Sequence, residues 1–316
     1  MDFQKLIDDN RVVAIVTKQA MMSVTGEKGV VFPPTYQDEG GDGPTYNIST
    51  YANGRNVCTI DSVPSQINRI EGRFVGEEPY RSFVPHITIK AKVVNKKAGI
   101  ELERDIDLLE APHRLADATV RFSGKIEKEA TKAFREFFSG NAIPIARLSP
   151  MSLLFGAWDS HITGVKIPRV FTSRIEAENV SNRVRRGYYL AKLPAAEINL
   201  DLGEEGKAAT LSNIGLDNAG AKGLDGIICD GTIQREAVAN LIALRDNCRS
   251  AENNDRIQLQ RYLLGLLLVV QTMPSGGFFR QGCTLVCKGE PESYIRLSDG
   301  SSEPFVLSVA ARALVQ

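Results

Sequence analysis

An α+β fold is what this sequence of 316 residues predicts, and three observations predict it. Strand-like and helix-like segments interleave, with strand–helix–strand runs recurring. Long Gly/Pro-rich stretches project between them, at about residues 25–45 and 181–231. Near-continuous apolar strands alternating strictly with helices, which a doubly wound parallel sheet requires, are missing. A ferredoxin-like or RRM-like core in a single domain, 1–316, enlarged by insertions, fits that order.

Taken in order, Val12 to Val16 reads as a strand and 25–45 as a surface loop. Val57 to Ile60 is a short strand, after which Asp61 or Ser62 can cap a helix. That helix tolerates Pro64 in its first turn and turns Ile67, Ile70 and Phe74 toward the core. His86 to Val94 alternates as a strand. Two helices, Leu108 to Phe122 and Lys125 to Phe138, follow as the bulk of a helical insertion over 95–142, the second stopping at Gly140. Beyond Val180 the chain reads as irregular to about Gly231, apart from a short strand at Gly187 to Leu193. A helical pair (Ile233 to Cys248, Arg256 to Met273), a turn at Pro274 to Gly282, a strand pair (Thr284 to Lys288, Ser293 to Leu297) and a C-terminal helix from Phe305 complete the reading.

Composition narrows the function. Lys+Arg and Asp+Glu are both 38, so the net charge is zero, whereas counterion release rewards nucleic-acid binders for a basic surface. The charge is segregated, however. Between Ser160 and Lys192 stand seven basic residues against two acidic ones, while 101–110 carries Glu101, Glu103, Asp105, Asp107 and Glu110. A basic groove on a neutral protein is therefore permitted. Five cysteines without a CxxC predict a reduced intracellular protein, with Cys283 and Cys287 sharing a buried strand face. The acidic, amphipathic start MDFQKLIDDN is neither a signal nor a transit peptide, and the longest apolar run, Leu263 to Val270, has eight residues. A soluble, cytoplasmic chain is expected.

The stretch 147–180 is the most informative. An apolar run, Met151 to Trp158, reads as a buried strand ending at Asp159-Ser160-His161. A Gly/Pro loop carrying Lys166 follows, and then the alternation Arg169 to Glu176, with Arg169, Phe171, Ser173 and Ile175 on one face and Arg174 on the other. Such an arrangement suits a sheet that holds a polyanion better than a proteolytic or redox site.

No histidine among His86, His113 and His161 has another His or a Cys at metal-ligand spacing, so no metal or other cofactor is expected. Gly215 to Gly223 approaches a phosphate loop, but its lysine is one place late and no Ser/Thr follows. His113-Arg114 either faces a phosphate at a helix start or belongs to an ordinary helix start with Arg114 paired to an acid. Gln66, Asn68 and Arg69 either hold a nucleic-acid backbone or tie their helix to a neighbouring loop. Arg183, Arg185 and Arg186, beside Tyr188 and Tyr189, either combine phosphate donors with stacking surfaces or form a solvated basic loop. In Ser275 to Gly282, paired glycines allow close backbone approach, and Arg280 and Gln281 bring donors.

Several segments together resemble the backbone subunit of type I-G (formerly I-U) CRISPR interference complexes, in the RAMP superfamily. They are 61–71 (DSVPSQINRIE), 111–118 (APHRLADA), 149–156 (SPMSLLFG) with Trp158-Asp159-Ser160, Pro168-Arg169 through Ile175-Glu176-Ala177, and Phe279 to Cys283. The resemblance implies an RRM-like palm with a helical insertion and an extended thumb hairpin, placed at 181–231. It implies copies stacked head to tail along a guide RNA (crRNA), displaying the guide for pairing with target DNA beside other effector subunits. Carried over, the guide-contacting residues are Gln66, Asn68, Arg69, His113, Arg114, Lys166, Arg169 and Arg280, and no catalytic residue is implied. Two rivals stand beside this reading: an RNA-processing nuclease of the same superfamily with His113 or His161 as general acid/base, and a small-molecule enzyme built on the Gly-rich loops.

Overall fold

A computed structural model describes residues 4–37, 44–95, 99–189 and 219–306. The chain opens with α1 (Gln4–Asp8), β1 (Val12–Ser23), β2 (Thr35–Gln37), β3 (Pro44–Tyr46), β4 (Ile48–Thr50), β5 (Asn56–Asp61) and α2 (Val63–Gly76). Next come β6 (Thr88–Asn95), β7 (Ile100–Asp107), α3 (Ala118–Arg121), α4 (Lys125–Phe138), α5 (Ile143–Leu148) and α6 (Pro150–Phe155). The middle holds β8 (Ala157–Trp158), β9 (Lys166–Ile167), β10 (Phe171–Glu178), β11 (Val180–Tyr189), β12 (Ala219–Cys229) and β13 (Ile233–Asn240). The last elements are α7 (Leu241–Asn247), α8 (Asn253–Thr272), β14 (Gly277–Arg280), β15 (Cys283–Cys287), β16 (Glu292–Leu297) and β17 (Ser302–Pro304).

The protein is α+β. Among the described residues its main sheet has nine strands in the order β14-β15-β1-β13-β10-β5-β4, with β16 also on β1 and β17 on β16. Every pairing in it is antiparallel. Four residue pairs fix its central register: Ile15 opposite Ala239 and Thr17 opposite Ala237 on one side, Phe171 opposite Ala239 and Ser173 opposite Ala237 on the other. These residues point to the helical side, where α2 and α6 pack on β10, α7 on β1 and α8 on β13. Most of the alternate residues, including Lys18, Thr172, Arg174, Glu236 and Val238, stay partly or fully exposed, as a period of two demands of a sheet covered on one face, while Ala14 and Val16 of β1 are buried. A second apolar cluster (Met21, Cys58, Ile60, Ile175, Ile227, Leu285 and others) lies at the foot of the β11–β12 ribbon.

The helix expected after β5 forms as the residues dictate. Ser62 Oγ accepts from Ser65 N at 3.4 Å, Pro64 falls in the first turn, and Ile67, Ile70 and Phe74 are buried. Lys125–Phe138 is likewise a helix, ended by Gly140 at φ +95°.

Several segments differ from expectation. Met151 to Trp158 is not a buried strand: Pro150–Phe155 is a helix buried on all sides, followed by a two-residue strand. An unbroken apolar run carries no periodicity with which to tell the two apart. Leu108 to Phe122 is not one helix but two 3-10 turns (Leu108–Glu110, Arg114–Ala116) and α3. Pro112 lacks an N–H donor, and Arg114 takes a left-handed φ of +52°. Ile233–Asn240 is a central strand, and only Leu241–Asn247 is helical, with Asn240 Oδ1 accepting from Ala243 N at 3.0 Å. Its Glu, Arg and Ala content favours helix locally, but tertiary pairing with β1 and β10 prevails. The strands near 284–288 and 293–297 do not pair with each other; both lie along β1.

The flanks of 181–231 are not irregular. Val180–Tyr189 and Ala219–Cys229 form an antiparallel ribbon that leaves the sheet between β10 and β13. Its foot is tied by backbone bonding between Val31 and Ile227 and by Gly226 N donating to Tyr46 Oη at 2.9 Å. Gly226 sits at φ +86°, where a Cβ would come within 2.8 Å of Val31 O, so only glycine fits. The segment 190–218, and with it Leu193, lies outside the described residues, as does the C-terminal helix expected from Phe305 beyond Val306. In the 25–45 stretch β2 pairs with β3, and 38–43 fall outside the described residues. The acidic stretch forms β7, with Glu103 and Asp105 opposite Lys92 and Lys90 of β6.

Among the described residues no helix is long and apolar enough to cross a membrane. All five cysteines are free; Cys58, Cys229, Cys248 and Cys283 are buried and Cys287 is exposed, so the expected shared buried face holds for Cys283 alone. Burial pushes the Cys58 and Cys248 thiols up to about 12 and Cys283 to about 11. A thiol reagent at neutral pH should therefore modify Cys287 alone in the folded chain and all five in denaturant. More than one equivalent in the folded state would contradict the packing.

Candidate nucleic-acid interface

Helix α2 brings most of the predicted residues to two neighbouring places. The first is a cleft of about 890 Å³ between the start of α2, the 112–116 turn and the β8–β9 hairpin. Asn68, His113, Arg114, Lys166 and Arg169 all line it, joined by Arg121, Trp158, Ser160 and His161. Among the described residues no carboxylate lines the cleft, which has four Lys/Arg residues and two histidines.

Its geometry is built from below. Arg114 is buried and donates to Glu71 through Nε at 2.5 Å and Nη2 at 2.8 Å, and to Gly156 O through Nη1 at 3.1 Å. Its guanidinium also stands 5.3 Å from the Phe155 ring centroid. Burial pushes the Glu71 carboxyl up, and the Arg114 guanidinium opposes that shift. Arg114 thus serves chiefly to pin the cleft floor. Gly156 takes a left-handed φ of +80°, and a Cβ there would lie a tight 3.0 Å from Ile167 O, so glycine is favoured.

The buried Asp159 accepts from Thr163 N (3.0 Å) and Thr163 Oγ1 (2.7 Å), closing the turn that displays Ser160 and His161. Lys166, paired across the hairpin with Trp158, holds its Nζ 4.1 Å from the Trp158 ring centroid. Trp158 is 56% exposed, an unusual position for an indole with no apolar cover. Arg169 donates to Phe155 O at 3.2 Å, and its pKa falls through burial first and the nearby Arg114 second, the mark of a positive field.

The second place centres on Asp61, which is wholly buried. It accepts from Ser65 Oγ (2.8 Å), Gln66 Nε2 (2.6 Å), Arg69 Nε (3.3 Å) and Arg280 Nη2 (3.1 Å). Arg69 also reaches Phe279 O at 2.7 Å and Arg280 reaches Ile60 O at 2.8 Å, so these side chains bind the end of β5 to β14. Gln66 is buried, and its Oε1 accepts from Ser173 Oγ at 3.0 Å.

The remaining predicted residues stand apart. Arg174, on the open sheet face, pairs with Glu176 and Glu236. Arg183 pairs with Asp225 at 3.4 Å on the ribbon, where Arg185 and Arg186 are exposed; Gln281 is exposed in the turn after β14. Three contributors escaped the sequence reading. Trp158 and Arg121 carried no pattern that separated them from core or surface. Arg235 did: it interrupts the apolar phase Ile233, Ala237, Ala239, a signal visible only once that segment is read as a strand.

Residues 15–182 match the model of a family described as CRISPR-associated protein GSU0053 (Cas_GSU0053). No curated protein matches the chain. Of solved structures, one titled "CRISPR RNA-guided surveillance complex, pre-nicking" is similar at 14% identity over 94% of this chain and 81% of that one, with a TM-score of 0.35, too loose a likeness to carry an argument.

Proposed function

This chain belongs to the family of CRISPR-associated protein GSU0053, and from that premise we propose that it is a non-catalytic guide-RNA-binding subunit of a CRISPR interference complex. In this reading copies lie head to tail along the guide and present it to target DNA, as the backbone subunit of a type I-G complex in the RAMP superfamily, in the cytoplasm. The observation that carries it is the cleft that sets Arg121, Lys166 and Arg169 beside an exposed tryptophan, with no carboxylate among the described residues that line it. Phosphates find cations there, and an unpaired base finds a stacking surface. Contacts of this kind hold backbone and sugar, so sequence selectivity should be low.

The succession β1, helices, β10, β13, helices, β15/β16, in the sheet order β15/β16-β1-β13-β10, supports an RRM-like palm. The ribbon leaving the sheet between β10 and β13 supports the thumb. Neutralising Arg183, Arg185 and Arg186 together with alanine should weaken RNA binding about ten-fold at moderate salt, alike for all sequences, because exposed charges are screened. Unchanged affinity in a filter-binding titration would remove the ribbon from the interface.

The test of function is the nucleic-acid content of the purified chain. A high 260/280 ratio with RNA protected in regular length steps is expected. A chain free of nucleic acid that ignores added RNA at low salt would end the proposal. His113 and His161 lie in the same cleft, which favours the nuclease of the same superfamily as second reading. Cleavage of bound RNA that is lost in His113→Ala or His161→Ala would establish it.

A further inference from the structure

Among the described residues Arg235 is a charge without a counter-charge. It lies on the helix-covered face of β13 at 4% exposure, and burial lowers its pKa to about 10. Its hydrogen-bond partners are two hydroxyls, Ser173 Oγ at 2.9 Å from Nε and Ser275 Oγ at 3.0 Å from Nη1; among the described residues no carboxylate pairs with it. Burying an unpaired cation is costly, and a fold keeps such a group where an anion can reach it.

The wider network has the same imbalance. Ser173 donates to Gln66 and Gln66 to Asp61, so Arg235 stands at one end of a buried chain whose other end is the carboxylate shared by Arg69 and Arg280. Two guanidinium groups thus meet one carboxylate, and the third reaches it only through two neutral side chains. The excess opens into a pocket of about 340 Å³ lined by Arg235, Arg69, Arg73, Ser275, Gly276 and Gly277, among others. Glu77 also lines it, and is engaged by Arg73 at 3.6 Å. The wall at Gly276 and Gly277 carries no side chain, and Gly277, at φ +150°, sits where other residues are strained.

We propose that this pocket is a phosphate subsite in which Arg235 from the floor and Arg69 and Arg73 from α2 hold one phosphate group. The group is either free orthophosphate or one phosphodiester of a bound single strand, the second case resting on the RNA-binding reading above. The site is separate from the Trp158–Lys166 cleft, with which it shares only the helix α2.

The experiment titrates the full chain with sodium phosphate at constant ionic strength and follows its thermal midpoint, then repeats the titration with a saturating single-stranded oligouridylate. The midpoint should rise with phosphate in the wild type. The rise should vanish in Arg235→Gln, which keeps a donor for Ser173 but no charge, and require at least ten-fold more phosphate in Arg73→Ala, whose rim position spares the core. Oligouridylate should abolish the phosphate response if a phosphodiester occupies the pocket; a response that survives bound oligonucleotide assigns the subsite to free phosphate. A phosphate response through Arg235 in a chain that binds no RNA leaves the subsite standing while the guide-binding reading falls. A wild-type midpoint indifferent to phosphate, or a response undiminished in both variants, overturns the subsite.

Discussion

Replacing Glu71 with alanine should cost about 3–5 kcal/mol of folding stability, because it leaves the Arg114 guanidinium buried and uncompensated. The pair is among the most buried in the protein, with side-chain exposures of 7% for Arg114 and 2% for Glu71, and it is bidentate. Arg114 also takes a left-handed backbone φ of +52°, an unfavourable setting for a non-glycine residue that the surrounding contacts must hold. Chemical denaturation should show a lower midpoint with an unchanged slope. A loss under about 1 kcal/mol would mean that water or a rearranged partner replaces Glu71, against the general cost of a buried unpaired charge. The same variant bears on the cleft, since Arg114 holds Gly156 O and with it the base of the β8–β9 hairpin. Replacing both partners with apolar residues of similar volume should cost far less than Glu71→Ala alone, so a double-mutant cycle separates the pair's net worth from the penalty of the orphan.

Reversing Lys166 and Arg169 together should weaken RNA binding on the order of 100-fold near physiological salt. With no carboxylate lining the cleft among the described residues, each reversal both removes a phosphate partner and plants a repelling charge. Two lost contacts on a single strand should flatten the slope of log K against log salt by about 1.4. The loss should be uniform across sequences, since backbone contacts carry no base information. Fluorescence anisotropy over a salt series measures both quantities. An affinity drop without a change of slope would locate these residues in a structural role, and a sequence-dependent drop would contradict backbone binding.

The two places differ in what their charges do, and the difference decides which substitutions are informative. Around Asp61, the cations Arg69 and Arg280 are joined to a buried acid and to carbonyls of β14 and β5, so removing them perturbs folding and binding together. In the cleft, Lys166 rests on an exposed ring and can be changed with little effect on packing.

Much of this protein follows from its sequence alone. The α+β class, the capped helix Val63–Gly76 with its buried Ile67, Ile70 and Phe74, and the alternation of β10 come from local periodicity and capping chemistry, which neighbours in sequence determine. The ordered segments at 61–71, 111–118, 149–156, 168–177 and 279–283 carried the resemblance, and the family match over residues 15–182, which covers all but the last of them, bears out its CRISPR-associated part. Tertiary structure alone decided the rest. Met151–Phe155 is helix rather than strand, because an apolar run buried on all sides has no phase to read. Ile233–Asn240 is strand because β1 and β10 offer it partners on both edges. Arg114 and Gln66 became framework through contacts between residues far apart in the chain, and Lys166 joined Trp158 at a surface across a hairpin whose register the sequence did not reveal. Burial and pairing set whether an arginine is a strut or a free cation, and both are properties of the folded neighbourhood that no local pattern encodes.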